Sequence, residues 1–127
     1  MIPLTRPPTA DTSESQLQAE IRKHIGSLPD VRLWRNNTGQ IKDATGRPVR
    51  FGLAVGSADI VGIVAPRGRW IAIEVKAPGW VPAKSGARYE HEEDQRKWMA
   101  IVRAFGGVAG FASSLGEAML LVEEARG

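Results

Sequence analysis

Cysteine is absent from the chain. That excludes disulfides, thiolate zinc sites and cysteine nucleophiles, and it fits a reducing compartment. Histidine is scarce: His24 and His91 stand far apart, with no metal-ligand spacing between them. A metal would therefore sit among oxygen ligands, which favours Mg²⁺, Mn²⁺ or Ca²⁺ over Zn²⁺. No apolar run approaches the ~20 residues that a membrane span needs. The N-terminus has neither the charged start nor the apolar core of a signal peptide. The expectation is a cytoplasmic protein with no membrane partner. A phosphate-cradling glycine-rich loop ahead of a helix is also missing, which weakens the reading as an unrelated α/β enzyme acting on nucleotides and leaves no organic cofactor in view.

What is present is an ordinary soluble composition, 43% apolar and 24% charged, in 127 residues. That length is most simply one domain with a single hydrophobic core. The net charge of +3 is unevenly spread. Between Val31 and Ala58 stand five basic residues and one acid, a local balance of +4. Such a segment is either a solvated basic loop or a surface for a polyanion.

Residues 1–12 hold three of the eight prolines and read as a flexible arm, with the folded domain spanning 13–127. A first helix is expected from near Ser13, through either of two overlapping capping boxes, Ser13-x-x-Gln16 and Asp11-x-x-Glu14. Leu17, Ile21, Ile25 and Leu28 form its apolar stripe, and Gly26 and Pro29 end it. At ~100° per residue, Glu14 lies about 20° from Ile21, on the inward face, whereas Glu20 faces water. An inward acid at a helix N-terminus either steadies the helix dipole or is aimed at a site.

Val31–Arg35 reads as a strand, followed by the turn-forming Asn36-Asn37-Thr38-Gly39. Residues 40–56 form a loose hairpin turning at Gly46-Arg47-Pro48, and Gly52 and Gly56 point to tight backbone geometry or close approach of another backbone. Asp59–Ala65 and Arg69–Ala77 are two strands joined by the short turn Pro66-Arg67-Gly68, so they pair as an antiparallel hairpin. That pairing sets Asp59 within about a residue of Glu74 and Lys76. On the second strand Trp70, Ala72, Glu74 and Lys76 share one face, and Ile71, Ile73 and Val75 share the other.

Pro78–Glu90 shows no apolar periodicity and reads as a long loop. A helix is expected from about Glu92 to Phe105, with an acidic first turn, a stripe of Gln95, Trp98, Ile101, Val102 and Phe105, and Gly106 at its stop. Val108–Ala112 is a last strand. Ser114-x-x-Glu117 then caps a final helix that offers Leu115, Met119 and Val122 to the core. The order α-β-β-β-α-β-α predicts an α/β fold with a mixed sheet flanked by helices.

Glu74 and Lys76 could form an ion pair worth about 0–1 kcal/mol if exposed. The hairpin, however, puts Asp59 beside them, and Glu14 approaches from the first helix. Carboxylates gathered at one point repel unless a cation or proton is shared. A hard divalent metal meets that need and acidifies a bound water for attack on phosphorus. Lys76 could orient or deprotonate that water, or only neutralise the site.

Asp59-x14-Glu74-Val75-Lys76 resembles the core pattern of the PD-(D/E)xK nuclease superfamily. The surrounding residues are similar to its virus-type replication-repair nuclease (VRR-NUC) branch: Glu14-x3-Gln18, Trp34 to Gly39, Gly46-Arg47, Arg50-Phe51-Gly52, Gly56 to Asp59, Ile73 to Lys76, Gln95-x-x-Trp98 and Gly106-Gly107. Ala58 stands where the superfamily pattern has proline, and Glu92 where the branch usually has a serine-type cap.

The resemblance implies a restriction-endonuclease-like α-β-β-β-α-β core. It implies Mg²⁺ or Mn²⁺ held by Asp59, Glu74, the Val75 carbonyl and Glu14, with Lys76 serving the water and Gln95 supporting the lysine or the DNA. Arg35, Asn36, Asn37, Lys42, Arg47, Arg50, Ser57, Lys84 and Arg88 are the expected DNA contacts. It implies a homodimeric endonuclease of phage or bacterial origin acting on branched DNA such as four-way junctions, in replication, recombination or repair. A flap or duplex nuclease without junction preference is an alternative. A binding module without catalysis is another, though such a module gains nothing from carboxylates clustered near phosphates.

Overall fold

Alternation of apolar residues with period two in the strands and about 3.6 in the helices gives the sheet two buried faces. A computed structural model describes residues 10–127. Its elements are α1 (Ala10–Glu20) with a π-helical turn (Ile21–Ile25), β1 (Val31–Arg35), β2 (Gly39–Lys42), β3 (Pro48–Phe51), β4 (Ile60–Val64), β5 (Arg69–Val75), α2 (Gly86–Ala104), β6 (Val108–Ala112) and α3 (Leu115–Arg126). The main sheet runs β1-β4-β5-β6, and β2 and β3 form a separate two-stranded ribbon. β1, β4 and β5 pair antiparallel, while β6 joins β5 in parallel, so the sheet is mixed. The parallel pairing follows from the crossover through α2, which returns the chain to the same end of the sheet.

One sheet face carries Ile60, Val64, Ile71, Ile73, Val75, Val108 and Ala112. It is covered by Leu17, Ile21 and Ile25 of the first helix and by Ala118, Val122 and Ala125 of α3. The opposite face carries Val61, Ala72 and Ala109, with Ala58 beside them, and packs on Met99, Trp98 and Val102 of α2. The result is an α/β sandwich with helices on both faces of the sheet. Among the described residues, no helix is long and apolar enough to cross a membrane.

Several expectations shift. α1 begins at Ala10 rather than near Ser13, so Ala10 to Thr12 belong to a helix and not to the arm; the rest of the arm lies outside the described residues. α2 begins at Gly86, six residues ahead of Glu92, and absorbs much of the expected loop. Residues 86–91 are all exposed, so that part of the helix needs no apolar stripe and shows none. The packing face of α2 includes Gln95, Trp98 and Val102 of the expected stripe, joined by buried Glu92 and Met99. Ile101 and Phe105, expected in the stripe, are 59% and 89% exposed. In α3 the Ser114 hydroxyl caps the helix by accepting the Glu117 N–H at 3.1 Å, as the motif predicts, but Leu115 faces outward. Val122 lies in the core and Met119 packs against it, as expected, while Ala118 and Ala125 join Val122 on the buried face at i, i+4 and i+7.

Candidate active site

Asp59 immediately precedes β4, and Glu74 is the penultimate residue of β5. The register Ile60↔Ile73 carries one step further to set Asp59 across from Glu74. The Asp59 carboxylate accepts the Val75 N–H at 3.0 Å, which anchors it at the end of the hairpin. Glu14, half-buried on α1, completes the group: Glu14, Asp59 and Glu74 each offer an oxygen, and these oxygens lie within 4.8 Å of one another. The expected juxtaposition of the three acids is what the fold produces.

Glu74 is 5% exposed, and its pKa is pushed up to about 9. Burial is the main cause, followed by the charge of Asp59 and the hydrogen bond shared with it; Lys76 works against the shift, and Glu14 adds to it. Lys76 Nζ stands 4.0 Å from Glu74 Oε2. A charge-assisted contact between ammonium and carboxylate closes to about 2.7–2.9 Å. The ion pair that the Glu-x-Lys spacing allows is thus present at the long end of contact rather than as a close hydrogen bond. Glu74 keeps its proton at neutral pH unless a cation replaces it.

These residues line a hollow of about 320 Å³ together with Thr38, Gly56, Ser57, His91 and Gln95. Gln95 is 4% exposed, and its Nε2 lies 3.2 Å from His91 Nε2. Among the described residues its Oε1 has no hydrogen-bond partner, an orphaned acceptor of the kind that buried amides rarely tolerate. Three carboxylates gathered at one hollow suit a hard divalent cation with its waters, so the residues fit Mg²⁺ or Mn²⁺. Val75 meets the group through its N–H.

The wall of the hollow is held by side chains expected to touch DNA. Asn36 Nδ2 donates to Ser57 Oγ at 2.9 Å and to the Ala58 carbonyl at 2.8 Å, and its Oδ1 accepts the Leu53 N–H at 3.3 Å. The Ser57 hydroxyl donates to the Ala54 carbonyl at 2.7 Å. The Asn36 N–H donates to the Asp59 carbonyl at 2.7 Å. Asn36 and Ser57 are thus occupied in shaping the approach to Asp59. Gly56, at φ 79°, is required there: a Cβ would lie 2.5 Å from the Asp94 carbonyl oxygen on α2. Arg35, Asn37, Lys42, Arg47, Arg50 and Lys84 are exposed, three of them on or at the turn of the β2–β3 ribbon. Arg88 is held by Glu92 Oε2 at 3.2 Å and by the Val81 carbonyl.

Three residues of this region went unrecognised as site residues in the sequence: Trp80, Glu92 and Phe111. Glu92 stood three positions before Gln95, the helical spacing of a shared face, and that spacing was the available signal. Trp80 and Phe111 carried none, because a loop aromatic and a strand aromatic meet only in the fold. No protein-family model matches the chain, and no curated protein matches it in sequence.

Proposed function

We propose that the chain is a Mg²⁺- or Mn²⁺-dependent DNA endonuclease of the PD-(D/E)xK kind, with a restriction-endonuclease-like core of the VRR-NUC branch, acting on branched DNA. The observation that carries this reading is the convergence of Glu14, Asp59 and Glu74 within 4.8 Å beside Lys76. In this reading Asp59, Glu74, Glu14 and the Val75 carbonyl hold the metal. The bound cation would supply an acidified water and neutralise charge on the scissile phosphate.

The chain's own residues do the rest. Asp59 is kept in place by the Val75 N–H, so one ligand is preorganised. Glu74 gives up its proton on binding, which couples metal affinity to pH. Lys76, adjoining Glu74, orients the attacking water or accepts its proton, and Gln95, on the wall of the same hollow, supports the lysine or the DNA. Arg35, Lys42, Arg47, Arg50 and Lys84 neutralise backbone phosphates around the site, and Asn37 faces the strand. A four-way junction has two scissile strands related by approximate two-fold symmetry, which a homodimer matches. The place of action in this reading is the cytoplasm of a bacterium or phage-infected host.

The test is incubation of the purified protein, with Mg²⁺ and separately with Mn²⁺, with labelled four-way junctions, flaps and plain duplex. Cleavage is expected, strongest on the junction. Glu74→Ala and Lys76→Ala should each abolish it while junction binding persists. Absence of cleavage on every substrate in both metals overturns the reading; salt-sensitive binding without cleavage would favour a binding module. Solution mass by light scattering decides the dimer.

A further inference from the structure

Lys76 is flanked by two aromatic rings. Its ammonium lies 5.7 Å from the centroid of the Trp80 ring and 5.5 Å from that of Phe111, both within the ~6 Å range of cation–π attraction. The two rings touch each other at 4.8 Å between centroids, tilted by 31°. Phe111 is set by β6, whose pairing with β5 places it opposite Glu74. Trp80 has no such support, since it stands in the irregular stretch between β5 and α2.

Glu92 supplies that support. Its carboxylate is 1% exposed in the middle of α2 and accepts the Trp80 indole N–H at 3.1 Å and the Ala83 N–H at 2.8 Å. Arg88 donates to it at 3.2 Å, and Arg96 stands 3.7 Å away. Burial pushes the Glu92 pKa up, but the Ala83 N–H, the Trp80 indole, Arg88 and the charge of Lys76 outweigh it and hold the carboxyl below its usual range. Glu92 is a buried anion with its acceptors taken up, and one of its donors is the ring that lies against Lys76.

We propose that Glu92 and Trp80 are positioning residues for Lys76: the buried carboxylate fixes the indole, and the indole with Phe111 holds the ammonium beside Glu74. A lysine stem otherwise samples many rotamers, and two rings restrict it to those that face the carboxylates. The catalytic side of this inference rests on the nuclease reading, in which Lys76 serves the water. A merely structural Glu92 would staple the 77–85 stretch to α2 with no effect on the lysine.

The experiment compares the full chain with Trp80→Phe, Trp80→Leu and Glu92→Gln. Trp80→Phe keeps a ring but loses the N–H to Glu92, whereas Trp80→Leu loses both. Circular dichroism first checks that each variant is folded. One readout is the NMR shift of the Lys76 side-chain methylenes, identified by their loss in Lys76→Arg. The flanking rings should displace these signals upfield in the unsubstituted protein. The displacement should shrink in Trp80→Phe and Glu92→Gln and be smallest in Trp80→Leu, where only the Phe111 ring remains.

The second readout is single-turnover cleavage of a four-way junction in Mn²⁺. A displaced catalytic group costs on the order of 100-fold in rate. Trp80→Leu should lose about that much and Trp80→Phe clearly less, with junction affinity within about twofold. Lys76 signals unchanged in Glu92→Gln, which leaves both rings in the chain, overturn the positioning. Signals that move while the cleavage rate stays the same overturn its catalytic role. An unsubstituted protein that cuts nothing overturns the nuclease reading and the catalytic half with it, and the NMR shifts then decide the positioning by themselves.

Discussion

Metal-free, the protein should grow less stable as pH rises through neutrality, and Glu74 is the reason. Its carboxyl has an ordinary value of 4.5 and is raised to about 9 in the fold. The folded state then holds a proton that the unfolded chain releases across that whole interval. The stability Glu74 contributes is fully present below 4.5 and is lost progressively up to 9. At pH 7.5 the interval traversed amounts to about 4 kcal/mol, at roughly 1.4 kcal/mol per unit. Between pH 5.5 and 7.5 the loss is about 3 kcal/mol, a sizeable fraction of the ~5–15 kcal/mol that holds a domain together.

Urea denaturation at pH 5.5, 6.5 and 7.5 in chelator-treated buffer measures this directly. Comparing the unsubstituted chain with Glu74→Gln cancels the other titrating groups. The glutamine variant should lack this component of the slope and be the more stable protein at pH 7.5 by about 2–4 kcal/mol. Saturating Mn²⁺ should remove the Glu74 slope from the unsubstituted chain, because the ligated carboxylate is then ionised in both states. Equal slopes for the two proteins without metal would refute the reasoning, since Glu74 would then not be a proton-holding group.

Glu92 works in the opposite sense: its lowered pKa contributes stability above its ordinary 4.5 that is lost as pH falls through the depressed value. Glu92→Gln should therefore unfold with a weaker acid dependence, read by circular dichroism from pH 6 down. Gly56→Ala meets both the 79° φ and the Asp94 carbonyl, and should lower stability by about 1–3 kcal/mol in urea titration. Met99→Ala removes the buried centre of the α2 packing face and should cost about 2–5 kcal/mol. Phe105→Ser, at an 89% exposed position, should stay within about 0.5 kcal/mol of the parent.

The sequence by itself determined the elements whose neighbours are close along the chain. β4 and β5 are joined by a short turn, so alternation and loop length alone place Asp59 opposite Glu74. The stripe of Leu17, Ile21 and Ile25 brings Glu14 inward because helical spacing is a local property. β6 and the Ser114 cap were legible for the same reason. Only the tertiary structure decided what covers each face. The first turn and a half of α2 faces water, so no apolar period announced it, and Glu92 moved from an expected helix start to a buried anchor. Ile101 and Phe105 fit the helical period, yet they face water, and Met99, outside the expected stripe, is buried against the sheet. Asn36 reaches Ser57 across 21 positions, and Trp80 meets Phe111 across a helix and a strand. Such pairings depend on the path of the chain between them, which local periodicity does not encode. The three acids were therefore visible in the one-dimensional pattern, and the two rings that flank Lys76 were not.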